Sequence, residues 1–314
     1  MNPLERKKMK RVGWILLIGC MVWCAAECVL RLLGFGSPQI LQPSPTLDYI
    51  FMPGQSGVYR GCRYAYNRVS MRSDHEIDRV LPPGSRRVIV AGDSIVNGEA
   101  RTDQADLATT LLDGVDGMAV YNLSACSWGP LNLAAYFGEY GTFNATDLVI
   151  VLSDHDLWDD DPTLAAGEKL GLTADFQTHK PFCATWEWIR FYAYPQVRTW
   201  LGHPIQLPPL KPQGNLVQRN LEACAALYAL PIAQKHLILH RTQREWRAKT
   251  MPAGERAFRE HAAQHGIQVT LLDVSPETDY LDNIHLNRSG QRRLADTIHA
   301  LLKQDTSPAM QIAD

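Results

Sequence analysis

Two short segments, one near residue 94 and one near residue 285, carry the residue types needed for nucleophilic catalysis. Gly92-Asp93-Ser94 directly follows a β-branched run, and a turn just beyond a strand end is where a serine hydroxyl becomes accessible. A serine hydroxyl is a weak nucleophile, so it needs a neighbouring base. Asp282-Asn283-Ile284-His285 supplies one, because its spacing lets the Asp282 carboxylate orient the His285 imidazole. The pattern predicts Ser94 as nucleophile, His285 as base and Asp282 as its support.

Short apolar runs alternating with helix-compatible segments predict the elements that position these residues. Strands are expected at residues 87–91, 118–123, 148–152, 236–240 and 268–272, and helices at 103–113, 131–140 and 253–265. A last helix is expected after His285, with Ser289 as its cap and Leu294, Ile298, Leu301 and Leu302 as its apolar stripe. Strands that alternate with helices form a parallel sheet covered by helices. Ser94 then lies at the carboxyl edge of the sheet, where ligands bind.

The N-terminal part of the chain reads as a membrane segment. Residues 1–11 are basic, and residues 12–35 are apolar apart from Glu27 and Arg31. About 20 apolar residues cross a bilayer, and a basic flank stays cytoplasmic. A cleavable signal has the same layout, and Leu17-Ile18-Gly19-Cys20 faintly resembles a lipoprotein cleavage site, but the residues after Cys20 stay hydrophobic. We therefore expect a single-pass inner-membrane anchor with the rest of the chain in the periplasm.

The remaining chain divides by composition. Residues 36–85 are rich in Pro, Gly and Ser and are expected to be a lead-in packed on the main domain, which covers residues 86–305 and ends in a tail at 306–314. Residues from about 157 to 230 contain several tryptophans and prolines and are expected to be an insertion that shapes a cleft. Those tryptophans suit stacking on sugar rings as well as core packing.

Composition excludes some classes of partner and cofactor. The formal net charge of −2 lacks the basic excess of a nucleic-acid-binding protein. Four cysteines lie outside the anchor without a CxxC zinc pattern, so that disulfides and free thiols both stay open: Cys62, Cys126, Cys183 and Cys224. The acidic cluster Asp154, Asp156, Asp159, Asp160 and Asp161 is typical of a solvated loop. We expect neither a metal nor a cofactor.

Gly-Asp-Ser and Asp-x-x-His are each common, but the two in this order resemble the first and last blocks of the SGNH (GDSL-like) hydrolases. Asn122-Leu123-Ser124-Ala125-Cys126-Ser127-Trp128-Gly129 resembles the second block, and Ser153-Asp154-His155-Asp156 falls where the third is expected. The lead-in and anchor are similar to those of bacterial membrane-tethered members. The resemblance implies a three-layer α/β/α, flavodoxin-like fold with about five parallel strands after the transmembrane helix.

The resemblance also implies an oxyanion hole, in which two positions depart from the family pattern. The family's second block supplies a glycine N–H, and the matching residue here is Ser127, with Gly129 as an alternative donor. The third block supplies an asparagine side chain, and the matching residue is His155. A backbone N–H survives the first change. An imidazole can donate a hydrogen bond, but its reach and pH dependence differ from those of an amide.

Together these features predict a serine ester hydrolase that needs no cofactor. The expected substrate is an acylated exported polysaccharide, such as O-acetylated cellulose or another exopolysaccharide, or a small ester, and the expected partner is a polysaccharide synthesis or export complex. Two alternatives stay open. One is an O-acyltransferase, which resolves the acyl-enzyme with a sugar hydroxyl. The other is a catalytically inactive membrane-tethered scaffold, which the departures at Ser127 and His155 motivate.

Overall fold

The computed structural model describes residues 3–159, 170–203 and 215–304. Its first helix, α1 (Pro3–Leu32), is long and apolar enough to cross a membrane, and its apolar stretch is not buried by the rest of the chain. The lead-in follows as two antiparallel hairpins, β1 (Leu41–Ser44) with β2 (Asp48–Phe51) and β3 (Ser56–Tyr59) with β4 (Cys62–Ala65). Leu47, Tyr49 and Phe51 are buried, so these residues of the lead-in are part of the core.

A five-stranded parallel sheet forms the centre of the molecule. Its strands are β5 (Arg86–Gly92), β6 (Met118–Ser124), β7 (Asp147–Ser153), β8 (Gln234–His240) and β9 (Gln268–Leu271). They lie in the order β6-β5-β7-β8-β9. In this doubly wound order the chain adds β6 on one side of β5 and then β7, β8 and β9 on the other, so the switch point lies beside β5. All five predicted strands are present. The carboxyl end of β5, where Ser94 follows, is at this switch point.

Helices cover both faces of the sheet. Alternate strand residues such as Val88 and Val90 pack on one face, and Ile89 and Ala91 pack on the other. The first face carries α2 (Ser94–Asn97), α3 (Ala108–Leu112) and the last helix; the second carries α4 (Pro130–Tyr140) and two later helices. The predicted three-layer α/β/α fold is therefore confirmed.

The remaining helices lie between β7 and the end of the described chain. They are α5 (Ala184–Trp188), α6 (Tyr194–Trp200), α7 (Leu216–Tyr228), α8 (Gln243–Ala248), α9 (Ala253–Gln264) and α10 (Arg288–Gln304), and a π-helical turn (Ile189–Ala193) joins α5 to α6. Helix α7 lies within the range predicted as an insertion, yet Cys224 and Leu227 on it are fully buried in the core. Helix α7 therefore covers one face of the sheet.

Two local predictions need correction. The segment 103–113 is not one helix: a 3-10 turn (Gln104–Asp106) and α3 are separated by Leu107, whose backbone is extended. The last helix is capped by Asn287, not by Ser289, because Asn287 Oδ1 accepts from the backbone N–H of Ser289 and Gly290. Ser289 Oγ instead bonds to Asp279. The four cysteines outside the anchor are free thiols.

Candidate active site

Ser94 is the first residue of α2, directly beyond the end of β5. Asp93 caps that helix, with Oδ1 accepting the backbone N–H of Ile95 at 2.8 Å. The turn is tight at Gly92, where a Cβ would come within 2.8 Å of the carbonyl oxygen of Val151 on the neighbouring strand. Ser94 is 9% exposed, so its hydroxyl is reached from a narrow opening at the carboxyl edge of the sheet.

The loop between β9 and α10 brings His285 and Asp282 to this serine. His285 Nε2 is 3.1 Å from Ser94 Oγ, and His285 Nδ1 is 2.8 Å from Asp282 Oδ2. The loop is closed by a hydrogen bond from the backbone N–H of Leu281 to the carbonyl oxygen of His285 at 2.8 Å. The three residues therefore form a continuous hydrogen-bonded chain in which each distance suits proton transfer or orientation.

The Asp282 carboxylate is held ionised by its own loop. Its Oδ1 accepts the backbone N–H groups of Ile284 and His285, both at 2.8 Å. Burial acts to raise the pKa of Asp282, but these hydrogen bonds outweigh it and bring the pKa to about 2. Asp282 is consequently an acceptor throughout the neutral range, which fixes the proton of His285 on Nδ1 and leaves Nε2 facing the serine.

Two further charged residues, which the sequence did not single out, lie against this chain. Arg101 donates to Asp282 through Nη1, which is also 2.8 Å from His285 Nδ1, while Arg101 Nε is 3.0 Å from Glu99 Oε2. Glu99 Oε2 is 3.8 Å from His285 Nε2. Burial raises the pKa of the Glu99 carboxyl, against the lowering effect of His285 and Arg101. The imidazole is thus bordered by a buried acid on the side that faces Ser94.

A buried arginine of the lead-in holds the loop that carries Glu99 and Arg101. Arg72 is 1% exposed, and its guanidinium donates to the carbonyl oxygens of Glu99 at 2.7 Å and Thr102 at 2.8 Å. The same loop needs a left-handed backbone at Gly98 (φ 71°) and at Glu99 (φ 46°). A non-glycine residue in that region is strained, and the bonds from Arg72 compensate for the strain.

The second-block residues lie beyond the end of β6. Ser127 is exposed and has φ 56°, a left-handed conformation in which glycine is the unstrained residue. Gly129 is the N-cap residue of α4, and its backbone N–H donates to Asn132 Oδ1 at 3.0 Å. Of the two N–H groups predicted as oxyanion donors from this block, the one on Gly129 is therefore engaged within the chain.

His155 lies in a 3-10 turn (Asp154–Trp158) that follows β7. Its Nε2 is 3.5 Å from Asp93 Oδ2 and 3.4 Å from Asp156 Oδ1, and both acids are almost completely buried. Burial alone would lower the pKa of His155, but the charges of Asp156 and Asp93 outweigh it and raise the pKa to about 10. His155 is an imidazolium at neutral pH.

Asp93, His155 and Asp156 are also a set of side chains that could hold a cation, since their ligand atoms all lie within 4.8 Å of one another. The imidazolium offsets part of the charge of the two acids, and burial raises the pKa of Asp156 well above its usual range. Asp154 is used differently: its carboxylate accepts the backbone N–H of Gly254 at 2.6 Å. Asp160 and Asp161 lie outside the described residues.

The structure thus brings Ser94, His285 and Asp282 into hydrogen-bond contact and connects His155 to this site through Asp93. Sequence reasoning missed Glu99 and Arg101, which follow the nucleophile by five and seven residues. The available signal was their charge and place: both lie in the loop directly after the nucleophile turn, at the carboxyl edge of the sheet.

Known proteins were compared with the chain as a whole. No protein-family model and no curated protein matches it. Among solved structures, it is similar to LAE5, an α/β hydrolase from the metagenome of Lake Arreo, Spain, at 16% identity and a TM-score of 0.39, over 73% of this chain and 98% of the other. A member of the lipolytic protein G-D-S-L family from Veillonella parvula is 11% identical with a TM-score of 0.39, over 70% and 100% of the two chains. Axe2, an acetylxylan esterase from Geobacillus stearothermophilus, is 15% identical with a TM-score of 0.39, over 70% and 95%. Function has to be argued from the site.

Proposed function

We propose that this protein is a serine ester hydrolase. The observation that carries the proposal is the hydrogen-bonded chain from Ser94 Oγ to His285 Nε2 at 3.1 Å and from His285 Nδ1 to Asp282 Oδ2 at 2.8 Å. Ser94 attacks the acyl carbonyl while His285 takes its proton, and His285 returns that proton to the departing alcohol. Water, activated by the same imidazole, then releases the acid and restores the serine. No cofactor takes part in these steps.

The oxyanion is stabilised by groups on the far side of Ser94 from His285. We assign the backbone N–H groups of Ser94 and Ser127 to this role, since the left-handed backbone at Ser127 is supporting evidence for a glycine-like donor turn. His155 supplies the third contribution. Its Nε2 faces Asp93 and Asp156, so the proton on Nδ1 is the one left to donate, and the charge of the ring stabilises the oxyanion electrostatically.

Arg101 is a positioning residue in this scheme. It binds the Asp282 carboxylate from the side opposite to the loop N–H groups, so that Asp282 is held between fixed donors. Glu99, at 3.8 Å from His285 Nε2, favours the positively charged ring that forms when His285 takes the serine proton. Glu99 therefore favours the imidazolium intermediate, and Arg101 acts by positioning Asp282.

The proposed substrate is an O-acyl group, most simply O-acetyl, on an exported polysaccharide. The support is indirect: α1 has the length and composition of a single-pass anchor, and the basic residues that precede its apolar stretch favour a periplasmic location for the domain. Hydrolysis at the membrane surface would suit a polymer that emerges there, beside a synthesis or export complex.

The first test is hydrolysis of p-nitrophenyl acetate by the full chain in detergent micelles, with wild type beside Ser94→Ala. We expect turnover in wild type and its loss in the variant, with equal melting temperatures as the control for folding. An active wild type is then assayed for acetate release from acetylated cellulose and acetylated xylan. Equal rates for wild type and Ser94→Ala would contradict the proposal.

An inactive scaffold is the second candidate, because His155 is bound to two buried acids where the family places a neutral amide. His155→Asn separates the two functions. If wild type is inactive and His155→Asn gains serine-dependent turnover, the native site has lost its oxyanion hole and the scaffold role is favoured. If wild type is active, the imidazolium is part of a working site.

A further inference from the structure

A helical segment that contacts the outer end of α1 exposes large apolar side chains. Residues 184–200 form one helical run made of α5, the π-helical turn and α6. Trp186, Ile189, Val197 and Trp200 on this run are 53%, 42%, 51% and 84% exposed. Contiguous exposed apolar surface of this kind marks an interaction site. We call it the outer face, comprising Phe182, Trp186, Ile189, Val197, Trp200 and Leu201.

The opposite side of the same run is fixed to the domain. Glu187 is fully buried, and its carboxylate accepts from Tyr59 Oη at 2.6 Å, Gln177 Nε2 at 2.8 Å and the backbone N–H of Gly36 at 2.5 Å. A buried carboxylate with three donors is costly to displace. The run therefore cannot roll over to hide its apolar side chains against the domain.

The outer face adjoins α1 near the end of its apolar stretch. The Glu27 carboxylate accepts the backbone N–H groups of Ala184 at 3.0 Å and Thr185 at 2.8 Å. One turn earlier in α1, Trp23 lines an apolar groove of about 380 Å³ together with Phe182, Trp186 and Ile189. The outer face thus lies beside the carboxyl-terminal half of the apolar stretch of α1.

Charge on the segment suits the same environment. Between residues 178 and 203 there are three basic side chains, Lys180, Arg190 and Arg198, and one acid, the buried Glu187. Helices that lie in a membrane interface combine aromatic and aliphatic residues on one side with Lys and Arg beside them. Anionic headgroups attract such basic residues. A sugar-binding platform would instead need flat aromatic rings throughout, and half of the outer face is Ile, Val or Leu.

We propose that residues 182–201 lie in the outer interface of the bilayer that α1 spans, with the outer face buried against lipid. The inference rests on the proposed anchoring of the chain. The domain would then have two attachments to the membrane: α1, which crosses the bilayer, and residues 182–201, which lie along its surface. Together they would fix the height and tilt of the domain. Ser94 is then presented at a constant orientation to substrate near the membrane surface.

The test is photolabelling of the full chain reconstituted in vesicles of phosphatidylcholine and phosphatidylglycerol that carry an acyl-chain diazirine, followed by peptide mapping. We expect label in α1 and in peptides covering residues 182–201. The peptide with Val80 is the internal control for an exposed apolar residue outside the segment, because Val80 is 97% exposed. It lies near the amino end of β5, since the carbonyl oxygen of the preceding Arg79 accepts from Arg87. Label in α1 without label in 182–201 overturns the proposal, and an unlabelled α1 removes the anchoring on which it rests.

A matched pair of variants sharpens the result. Trp186→Ser/Trp200→Ser should lower the labelling of residues 182–201 by about threefold or more, because the aromatic anchors are lost. Val80→Ser should leave it unchanged, and both variants should keep the wild-type melting temperature. Unchanged labelling in the tryptophan variant contradicts an interfacial role. A saturable change in tryptophan fluorescence with cello-oligosaccharides, lost in Trp200→Ser, would assign the face to sugar and overturn the lipid proposal.

Discussion

Two histidines reach the nucleophile turn, one at Ser94 and one at Asp93, and the molecule holds them in different ways. His285 receives one carboxylate, the 43% exposed Asp282, on Nδ1, and its Nε2 is directed at the serine. His155 directs its Nε2 at two carboxylates, Asp93 and Asp156, whose side chains are 2% and 0% exposed. One solvated acid orients a ring and leaves it able to accept a proton. Two buried acids keep the other ring charged, so the two histidines suit different tasks.

Removing the base, His285, should have the largest effect on activity. His285→Ala should lower kcat/KM for p-nitrophenyl acetate by about 10⁵-fold or more, because the serine then has no proton acceptor. The double variant with Ser94→Ala should lose little more, since the two residues act as one unit. Stopped-flow or spectrophotometric turnover measures both. Additive losses in the double variant would show that Ser94 and His285 act separately.

Removing the charge of the orienting acid comes next. Asp282→Asn should lower kcat by about 10⁴-fold, because an amide can present its N–H to the ring and favour the wrong tautomer. The low pKa of Asp282, about 2, means that wild type keeps this carboxylate ionised at every assay pH above 5. Steady-state kinetics across pH 5 to 9 is the measurement. A loss of tenfold or less would contradict the orienting role of Asp282.

The second histidine should matter less and in a different way. His155→Ala should lower kcat by about 100- to 1,000-fold with KM nearly unchanged, which is the cost of one oxyanion-stabilising group. It should also lower the melting temperature, because Asp93 and Asp156 lose their compensating charge. His155→Asn restores an amide donor and should recover part of kcat. A larger loss of kcat in His155→Asn than in His155→Ala would argue against a donor role.

The smallest effect concerns stability against pH. The pKa of His155 is raised from 6.5 to about 10 on folding, so its contribution to stability is complete below about pH 6.5 and is lost as the pH rises through 10. The ring is partly solvated, so solvent screening limits this contribution to about 1 kcal/mol. The stability difference between wild type and His155→Asn should therefore shrink from pH 6 to pH 10. Chemical denaturation at each pH measures this difference in the free energy of unfolding. A difference that grows with pH would contradict the raised pKa of His155.

The sequence was most informative about the sheet. The strand runs are contiguous and apolar, so local pattern alone located all five of them, and β5 and β8 fix the positions of the helices that follow. Helix ends were less predictable because neighbouring polar residues compete to cap them. Asn287 and Ser289 both suit an N-cap, and the choice depends on Asp279, which binds Ser289 from another part of the chain.

The site was only partly predictable for a related reason. Ser94, Asp282 and His285 lie in two short motifs, so their contact follows once a parallel sheet is assumed. Glu99 and Arg101 are oriented by left-handed backbone at Gly98 and Glu99 and by bonds from Arg72, and local patterns do not encode these. The charge on His155 depends first on Asp156, its neighbour in sequence, and then on Asp93, which is distant in sequence.

The buried guanidinium of Arg72 also affects the order in which the chain can fold. The lead-in leaves the ribosome before the loop at residues 97–102, so Arg72 gains its acceptors at Glu99 and Thr102 only when that loop arrives, whereas its acceptor at Arg63 belongs to the lead-in. The base is 191 positions beyond the nucleophile and arrives later still. Under the proposed function, a nascent chain therefore has the serine without its base, and the hydrogen-bonded chain is complete only after residue 285 has been synthesised.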